Sequence, residues 1–306
     1  MKRGLAQALL IALTCMSCGH HVAVAGSEAV KTPFGLDQLF VPSGEFLMGL
    51  DAAQIEKSRE ICDIDRKTCP WRLFDNEAPQ RKVLLSAFYI DKYEATVSQY
   101  QSCVEAKICE VPATSTYCTW KLEAADTHPI NCVTWAQAKT YCEWAGKRLP
   151  TEAEWERAAR GVDGRLFPWG DLHPSQMNEK VGNFSGTTGK ATNRMWNQVK
   201  DYDDGIVATS PVGSFREGFS PVGAADMAGN VAEWVEDHYA GYDETDLLDP
   251  TGDLDGVGRV ARGGSFSDDS VEIRTTARRA GAAQAPYNVL GFRCAQSADQ
   301  TTSNAD

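Results

Sequence analysis

The chain has 306 residues, 42% of them hydrophobic and 24% charged, with a formal net charge of −12. That length suits one large domain or two small ones with a sizeable core. The acidic balance argues against a nucleic-acid binder and against docking on anionic membranes. It is compatible with bound divalent cations and equally with a plain role in solubility.

Residues 1–25 read as an export signal. Lys2-Arg3 form a basic start, Leu5 to Met16 are almost wholly apolar, and Ala23-Val24-Ala25 is an A-x-A cleavage site that leaves Gly26 as the new N-terminus. The apolar run is too short to span a bilayer, and no other stretch is a candidate span. A lipid anchor on Cys18 is the weaker alternative, because Cys15 stands where a Leu-like residue is wanted. The predicted destination is therefore secreted, periplasmic or cell-envelope.

Residues 26–37 read as a mobile leader, 38–296 as the folded domain and 297–306 as a frayed tail. Residues 39–49 alternate around a Pro-Ser-Gly turn and predict a β-hairpin. Residues 50–80, polar and holding Cys62 and Cys69, read as an irregular insertion. Residues 82–93 are the clearest strand. Residues 96–106 predict a helix capped by Thr96. Residues 134–146 predict an amphipathic helix with Trp135, Ala138, Tyr141, Cys142 and Ala145 on one face and Gly146 at its stop. Thr151 and Glu154 form a capping box that opens another helix, with Trp155, Ala158 and Ala159 on its buried face. From Gly161 to Ser265 the periodicity mostly fails, yet Phe167, Trp169, Phe184, Trp196 and Phe215 sit near turn residues. That mixture suits a loop-rich fold held by disulfides or metal ions.

Cleavage leaves Cys62, Cys69, Cys103, Cys109, Cys118, Cys132, Cys142 and Cys294, an even set that reads as disulfides in an exported chain. No C-x-x-C pair occurs among them. His128, His173 and His238 lie far apart, which argues against a zinc or non-haem iron site.

Several motifs then carry a family resemblance. They are His128-Pro129, Val133-Thr134-Trp135, the run Ala145 to Glu156 (AGKRLPTEAEWE), Phe167-Pro168-Trp169-Gly170, Gly229 to Trp234 (GNVAEW), Arg262 to Phe266 (RGGSF) and Leu290 to Cys294 (LGFRC). Together, in this order and over roughly residues 39–295, they resemble the formylglycine-generating enzyme (sulfatase-modifying factor) family. The resemblance implies an α+β fold related to C-type lectins, poor in regular secondary structure, disulfide-bonded and carrying structural calcium. It also implies a Cys142–Cys294 disulfide, which closes a loop of about 150 residues and is worth about 4–5 kcal/mol in chain entropy. The remaining cysteines pair most simply as Cys62–Cys69, Cys103–Cys109 and Cys118–Cys132, a connectivity that sequence does not fix.

The family's first calcium site matches the side chains of Asn183 and Asp204 and the carbonyls of Phe184 and Ile206. Its second matches the side chains of Asp226 and Glu233 and the carbonyls of Gly229 and Val231. These are oxygen donors on irregular chain, as Ca²⁺ requires. Asn183-Phe184-Ser185 is also a glycosylation sequon, and the two readings exclude each other. The family's aerobic oxidases hold Cu(I) on two thiolates just after the G-G-S-[FY] run, since a soft ion needs soft ligands. Here Asp268 stands at the first copper position and the second falls near Glu272 or Ile273, so no copper is expected. The family's other disulfide is missing as well, with Ala159 and the region Thr276 to Arg278 at its positions. Asp268, Asp269 and Glu272 read as a solvated acidic loop rather than a new metal site. Arg274, Arg278 and Arg293 either line a groove for an acidic or peptide ligand or pair with nearby acids. Related iron-dependent sulfoxide synthases draw their histidines from an additional helical domain for which this chain has no room.

The resulting expectation is an exported, calcium-stabilised, non-catalytic domain, a pseudoenzyme that binds a peptide, glycan or cell-envelope partner. The alternative is an oxidoreductase of the formylglycine-generating type that modifies a protein cysteine in sulfatase maturation.

Overall fold

The computed structural model describes residues 30–31, 37–193, 195–242, 245, 247–252, 256 and 258–298. The export signal and the end of the tail lie outside the described residues. The helices are α1 (Ala52–Asp65), α2 (Val97–Glu105), α3 (Trp135–Trp144), α4 (Glu152–Arg160) and α5 (Thr187–Thr192). The strands are β1 (Val30–Lys31), β2 (Asp37–Val41), β3 (Gly44–Met48), β4 (Arg81–Leu85), β5 (Phe88–Asp91), β6 (Ala232–His238), β7 (Leu247–Leu248), β8 (Arg259–Arg262), β9 (Arg278–Gly281), β10 (Leu290–Gly291) and β11 (Ala295–Ser297). They form three small sheets, ordered β1-β2-β5-β11, β10-β6-β8-β9 and β3-β4-β7. The architecture is α+β, with a long stretch between α4 and β6 whose described residues form α5, the short 3-10 helices Pro174–Gln176 and Arg216–Gly218, and otherwise turns and irregular chain.

Helices α2 and α4 start where the caps predict, and α3 starts behind a cap of the same kind. Thr96, Thr134 and Thr151 each accept a hydrogen bond from the N–H three residues on, and the residue there closes a capping box. Each box satisfies two backbone donors that an uncapped first turn leaves bare.

The extended segments differ from expectation. Residues 39–49 do form two strands, but β2 pairs with β5 and β3 pairs with β4, so there is no hairpin between them. The predicted strand at 82–93 breaks at Ser86-Ala87 into β4 and β5, which belong to different sheets. An apolar run reports burial, not the partner that buries it. Part of the predicted leader is also structured, since Val30–Lys31 pair antiparallel with Asp37 and Gln38. The largest departure is α1, a 14-residue helix where an irregular insertion was predicted. Asp51 and Gln54 cap it, but only Ser58, Ile61 and Cys62 are buried along it. So narrow an apolar stripe leaves little periodic signal.

Two cores flank the central strands. In one, Tyr100 of α2 and Ala138, Tyr141 and Cys142 of α3 pack against Trp234 of β6 and Phe292. In the other, Trp155, Ala158 and Ala159 of α4 pack against Val83, Ile90, Val235 and Val260. All four expected disulfides are present: Cys62–Cys69, Cys103–Cys109, Cys118–Cys132 and Cys142–Cys294. The last ties α3 to the segment before β11.

Candidate functional site

The turn-rich stretch sets Asn183 and Phe184 beside Asp204 and Ile206. Asn183 is 1% exposed. Its Nδ2 donates to the Ala208 carbonyl at 2.7 Å, whereas its Oδ1 is buried without a hydrogen-bond partner. A buried acceptor left bare costs about 1–3 kcal/mol, so the position calls for a donor or a cation. Asp204 lies alongside. Its two oxygens accept the N–H groups of Phe184 and Ile206, both at 2.8 Å. Burial pushes the Asp204 carboxyl up to about 6 despite those two bonds. An orphaned amide oxygen beside a carboxylate short of positive charge is a donor set that fits a hard cation. The same burial removes the glycosylation reading of Asn183, whose side chain has no path to solvent.

The second set is more heavily engaged. Gly229 has φ +84° and lies so close to the Asn183 carbonyl that a Cβ would meet it at 2.3 Å, which joins the two sets physically. Glu233 already has partners for both oxygens. Arg293 grips it with two bonds of 2.7 Å, and Trp155 Nε1 donates to it at 2.9 Å. Asp226 accepts the Gly213 N–H at 2.6 Å and is pushed up to about 6, chiefly by burial. A further acid completes this cluster. Glu94 is 1% exposed and accepts from the Val231 N–H and from Asn230 Nδ2 at 3.1 and 2.7 Å. Burial, followed by the charges of Asp226 and Glu233, drives its carboxyl well above the usual range. Three carboxylates thus face one guanidinium, and the cluster takes up either protons or a cation. Glu94 was not anticipated. Its only sequence signal is a lone acid between a strand and a helix cap. Among the described residues no group of three His, Cys, Asp or Glu is arranged as a metal cage. Both sets would have to draw on carbonyl and amide oxygens.

The segment after Gly264 is the second focus. Gly264 has φ +65°, and a Cβ there would meet the Glu272 carbonyl at 2.7 Å, so this turn closes tightly on itself. Asp268 accepts from the Ser265 N–H and hydroxyl at 2.8 and 2.7 Å and from Arg279 at 2.6 Å. Asp269 is fully buried and held by Arg66 Nε and Nη2 at 2.6 and 2.8 Å. Glu272 accepts from Arg66 and Arg279 at 3.2 and 3.3 Å. Burial opposes the Glu272 charge, but Arg279 and Arg66 outweigh it and hold the carboxyl below its ordinary value. Ile273, near the second copper position, is fully buried in a core with Phe167 and Phe184.

These contacts correct the solvated-loop expectation: the acids are internal ion-pair partners. The end of α1 supplies the other half. Asp65 accepts from the Ser270 N–H at 3.0 Å, from the Ser270 hydroxyl, from the Lys200 N–H at 2.7 Å, and pairs with His173 Nε2 at 3.1 Å. The insertion therefore packs onto the altered segment. The groove reading of the arginines gives way too. Arg274, Arg278 and Arg293 are 1%, 5% and 0% exposed and are clamped by Glu77, Glu152 and Glu233. Buried guanidinium groups are held by fixed carboxylates and are not free for a ligand.

Fold and site together define a disulfide-bonded α+β domain with buried oxygen-donor sets and an ion-paired segment after a Gly-Gly-Ser-Phe turn. Residues 26–298 match the family described as "Sulfatase-modifying factor enzyme 1-like domain", and the chain belongs to that family. It is 40% identical to the formylglycine-generating enzyme of Streptomyces coelicolor, over 58% of this chain and 55% of that protein. It is 30% identical to the Bos taurus formylglycine-generating enzyme, over 83% of this chain and 73% of that protein. It is 36% identical to "Inactive C-alpha-formylglycine-generating enzyme 2" of Bos taurus, over 56% of this chain and 50% of that protein. The chain thus spans about half the length of the first and last of these relatives. Among solved structures, PvdO from Pseudomonas aeruginosa has the same fold, with a TM-score of 0.64 at 22% identity, over 90% of this chain and all of that one.

Proposed function

We propose that this protein is a non-catalytic member of its family, an exported domain that binds a partner and does not oxidise a cysteine. One observation carries the reading. The segment where the family's oxidases place two thiolates holds Asp268, Glu272 and Ile273, and each has a structural occupation: Asp268 on Ser265 and Arg279, Glu272 on Arg66 and Arg279, Ile273 in a core. No cysteine lies between Cys142 and Cys294. A Cu(I) site needs soft sulfur ligands, and carboxylates paired with guanidinium groups do not substitute for them. Among the described residues all the cysteines are paired in four disulfides, which supports an oxidising compartment. Among the described residues no helix is long and apolar enough to cross a membrane.

Structural calcium belongs to this proposal. The orphaned Asn183 Oδ1 and the under-compensated carboxyls of Asp204, Asp226 and Glu94 support it. Bound there, the ion supplies positive charge that neutralises these acids, and Asn183 and Asp204 are the residues that would hold it most directly.

The test is incubation of the purified protein with Cu(I), oxygen and a Cys-x-Pro-x-Arg peptide, read by mass spectrometry for the aldehyde. The expected result is unchanged peptide and no bound copper. Turnover to formylglycine would overturn the proposal and restore the oxidoreductase alternative.

A further inference from the structure

Three distant parts of the chain meet beside the altered segment and present an aromatic corner. Tyr117, Trp196 and Phe266 lie with ring centroids 5.4 Å (Tyr117–Trp196), 5.9 Å (Tyr117–Phe266) and 5.4 Å (Trp196–Phe266) apart. Their planes are tilted by 56–63°. Phe266 is the buried floor, at 1% exposure, while Tyr117 and Trp196 are half-buried walls.

The walls are held in place. Tyr117 adopts φ +70°, an unfavourable conformation for a bulky residue. The neighbouring Cys118–Cys132 disulfide and the bond from Asn131 Nδ2 to the Tyr117 carbonyl at 2.8 Å maintain it. Trp196 is seated on Gly189, whose Cβ position lies 3.5 Å from the indole, and its carbonyl accepts from Lys190. Strain of this kind persists only where surrounding structure imposes it, and such positions cluster at binding sites.

The polar tips of the walls are unused. Trp135, Trp155, Trp169 and Trp234 each donate their indole N–H to a protein acceptor. Among the described residues neither Trp196 Nε1 nor the Tyr117 hydroxyl has a hydrogen-bond partner, and neither is a sealed buried atom. Half-exposed aromatic rings with free polar tips are the usual anchors of recognition sites.

The chemistry of the surroundings selects the ligand. The side chains adjoining the rings in the chain include the hydrogen-bonding Ser115, Thr116, Asn197 and Ser267, with the apolar, exposed Met195 on the other side of Trp196. Asp268 and Arg279 pair with each other at 2.6 Å, and the Lys190 ammonium is bound to the Trp196 carbonyl. The three segments are turns and coil with no strand edge that an extended peptide could extend. The geometry points to a binding site for an oligosaccharide, with the C–H face of one pyranose ring stacked in the Tyr117–Trp196 corner and its hydroxyls bonded to the two free tips and to neighbouring hydroxyl and amide side chains. This rests on the non-catalytic reading and names its ligand class.

The test titrates the intact protein with chitotetraose, cellotetraose and maltotetraose by calorimetry and tryptophan fluorescence, alongside a Pro-rich decapeptide. The variants are Trp196→Ala, Trp196→Phe and Tyr117→Phe, with thermal melting as the fold control. The expected result is saturable binding of at least one oligosaccharide, weakened about tenfold or more by Trp196→Ala, corresponding to about 1.4 kcal/mol. The milder Trp196→Phe and Tyr117→Phe changes, which keep a ring but lose a tip, weaken it less. Absence of binding by all three sugars, sugar binding unchanged in Trp196→Ala, or binding of the decapeptide alone would each overturn the inference. The copper assay is independent of this titration, so either reading can fail while the other is judged on its own result.

Discussion

At the scale of single residues, many charged side chains are buried as ion pairs among the apolar cores. Glu77 holds Arg274 with bonds of 2.8 and 2.6 Å, and both side chains are almost wholly buried. Removing the acid strands a guanidinium inside, so Glu77→Ala is expected to cost about 3–5 kcal/mol in urea unfolding. The Arg279–Glu272 pair is partly exposed, and Glu272→Ala should cost about 1 kcal/mol or less. Equal losses would show that burial does not set the penalty. Asp237 makes a separate prediction. Burial, reinforced by the Glu152 charge, pushes its carboxyl up to about 8 in the folded chain. The folded state then holds a proton that the unfolded state releases from about pH 4 upward. The stability contributed by this group is complete below the unfolded value and is lost as pH rises toward 8, by at most about 1.4 kcal/mol per pH unit. Asp237→Asn can still accept the Glu152 N–H bond seen at 2.7 Å. It should flatten that slope and make the variant more stable than the parent at pH 8. An unchanged pH profile would show that Asp237 is ionised throughout.

At the scale of elements, legibility follows locality. Helices α2 and α4 were readable because Thr96 and Thr151 act within one turn on partners three residues away, and α3 was readable from its apolar face. Strand pairing was not readable, because β2 and β3 are adjacent in sequence yet join different sheets. Helix α1 escaped notice since its stabilising contacts come from far away. Asp65 and Arg66 at its end meet Ser270, Asp269 and Glu272, about 200 residues on. The same distance explains the misread acids: a run of Asp and Glu looks solvated until its guanidinium partners arrive from another element. The donor residues Asn183, Asp204, Asp226 and Glu233 came from whole-family motifs, whereas Glu94 enters only through the fold. A prediction belongs at this scale. Arg66→Ala should leave Asp269 buried without its partner and cost several kcal/mol. Double substitution of Arg66→Ala with Asp269→Ala should recover part of that loss, as a double-mutant cycle would record. No recovery would mean that the end of α1 does not act on the altered segment through this pair.

For the whole molecule, the question is what holds a chain with so little regular structure. Three disulfides are local, closing separations of 6, 7 and 14 residues, while Cys142–Cys294 closes 152. Loop entropy makes the long link worth roughly twice a short one, about 5 against about 2.5 kcal/mol. Its loop encloses the stretch between α4 and β6 but places no crosslink inside it, where the buried Asn183 oxygen and the raised Asp204 and Asp226 carboxyls lie. Calcium would hold that stretch from within. If it does, a chelator should lower the melting temperature, by about 5–10 °C from a starting Ca²⁺ level near a hundred times its dissociation constant. Asn183→Ala should abolish most of that sensitivity. Because the disulfide and the donor sets share no residue, chelation should produce a similar shift in a Cys142→Ala/Cys294→Ala variant. A melting temperature indifferent to chelator in both proteins would mean that the raised carboxyls are balanced by protons, and stability should then fall as pH rises from about 4 to about 6 and level off above that, where both states have lost those protons.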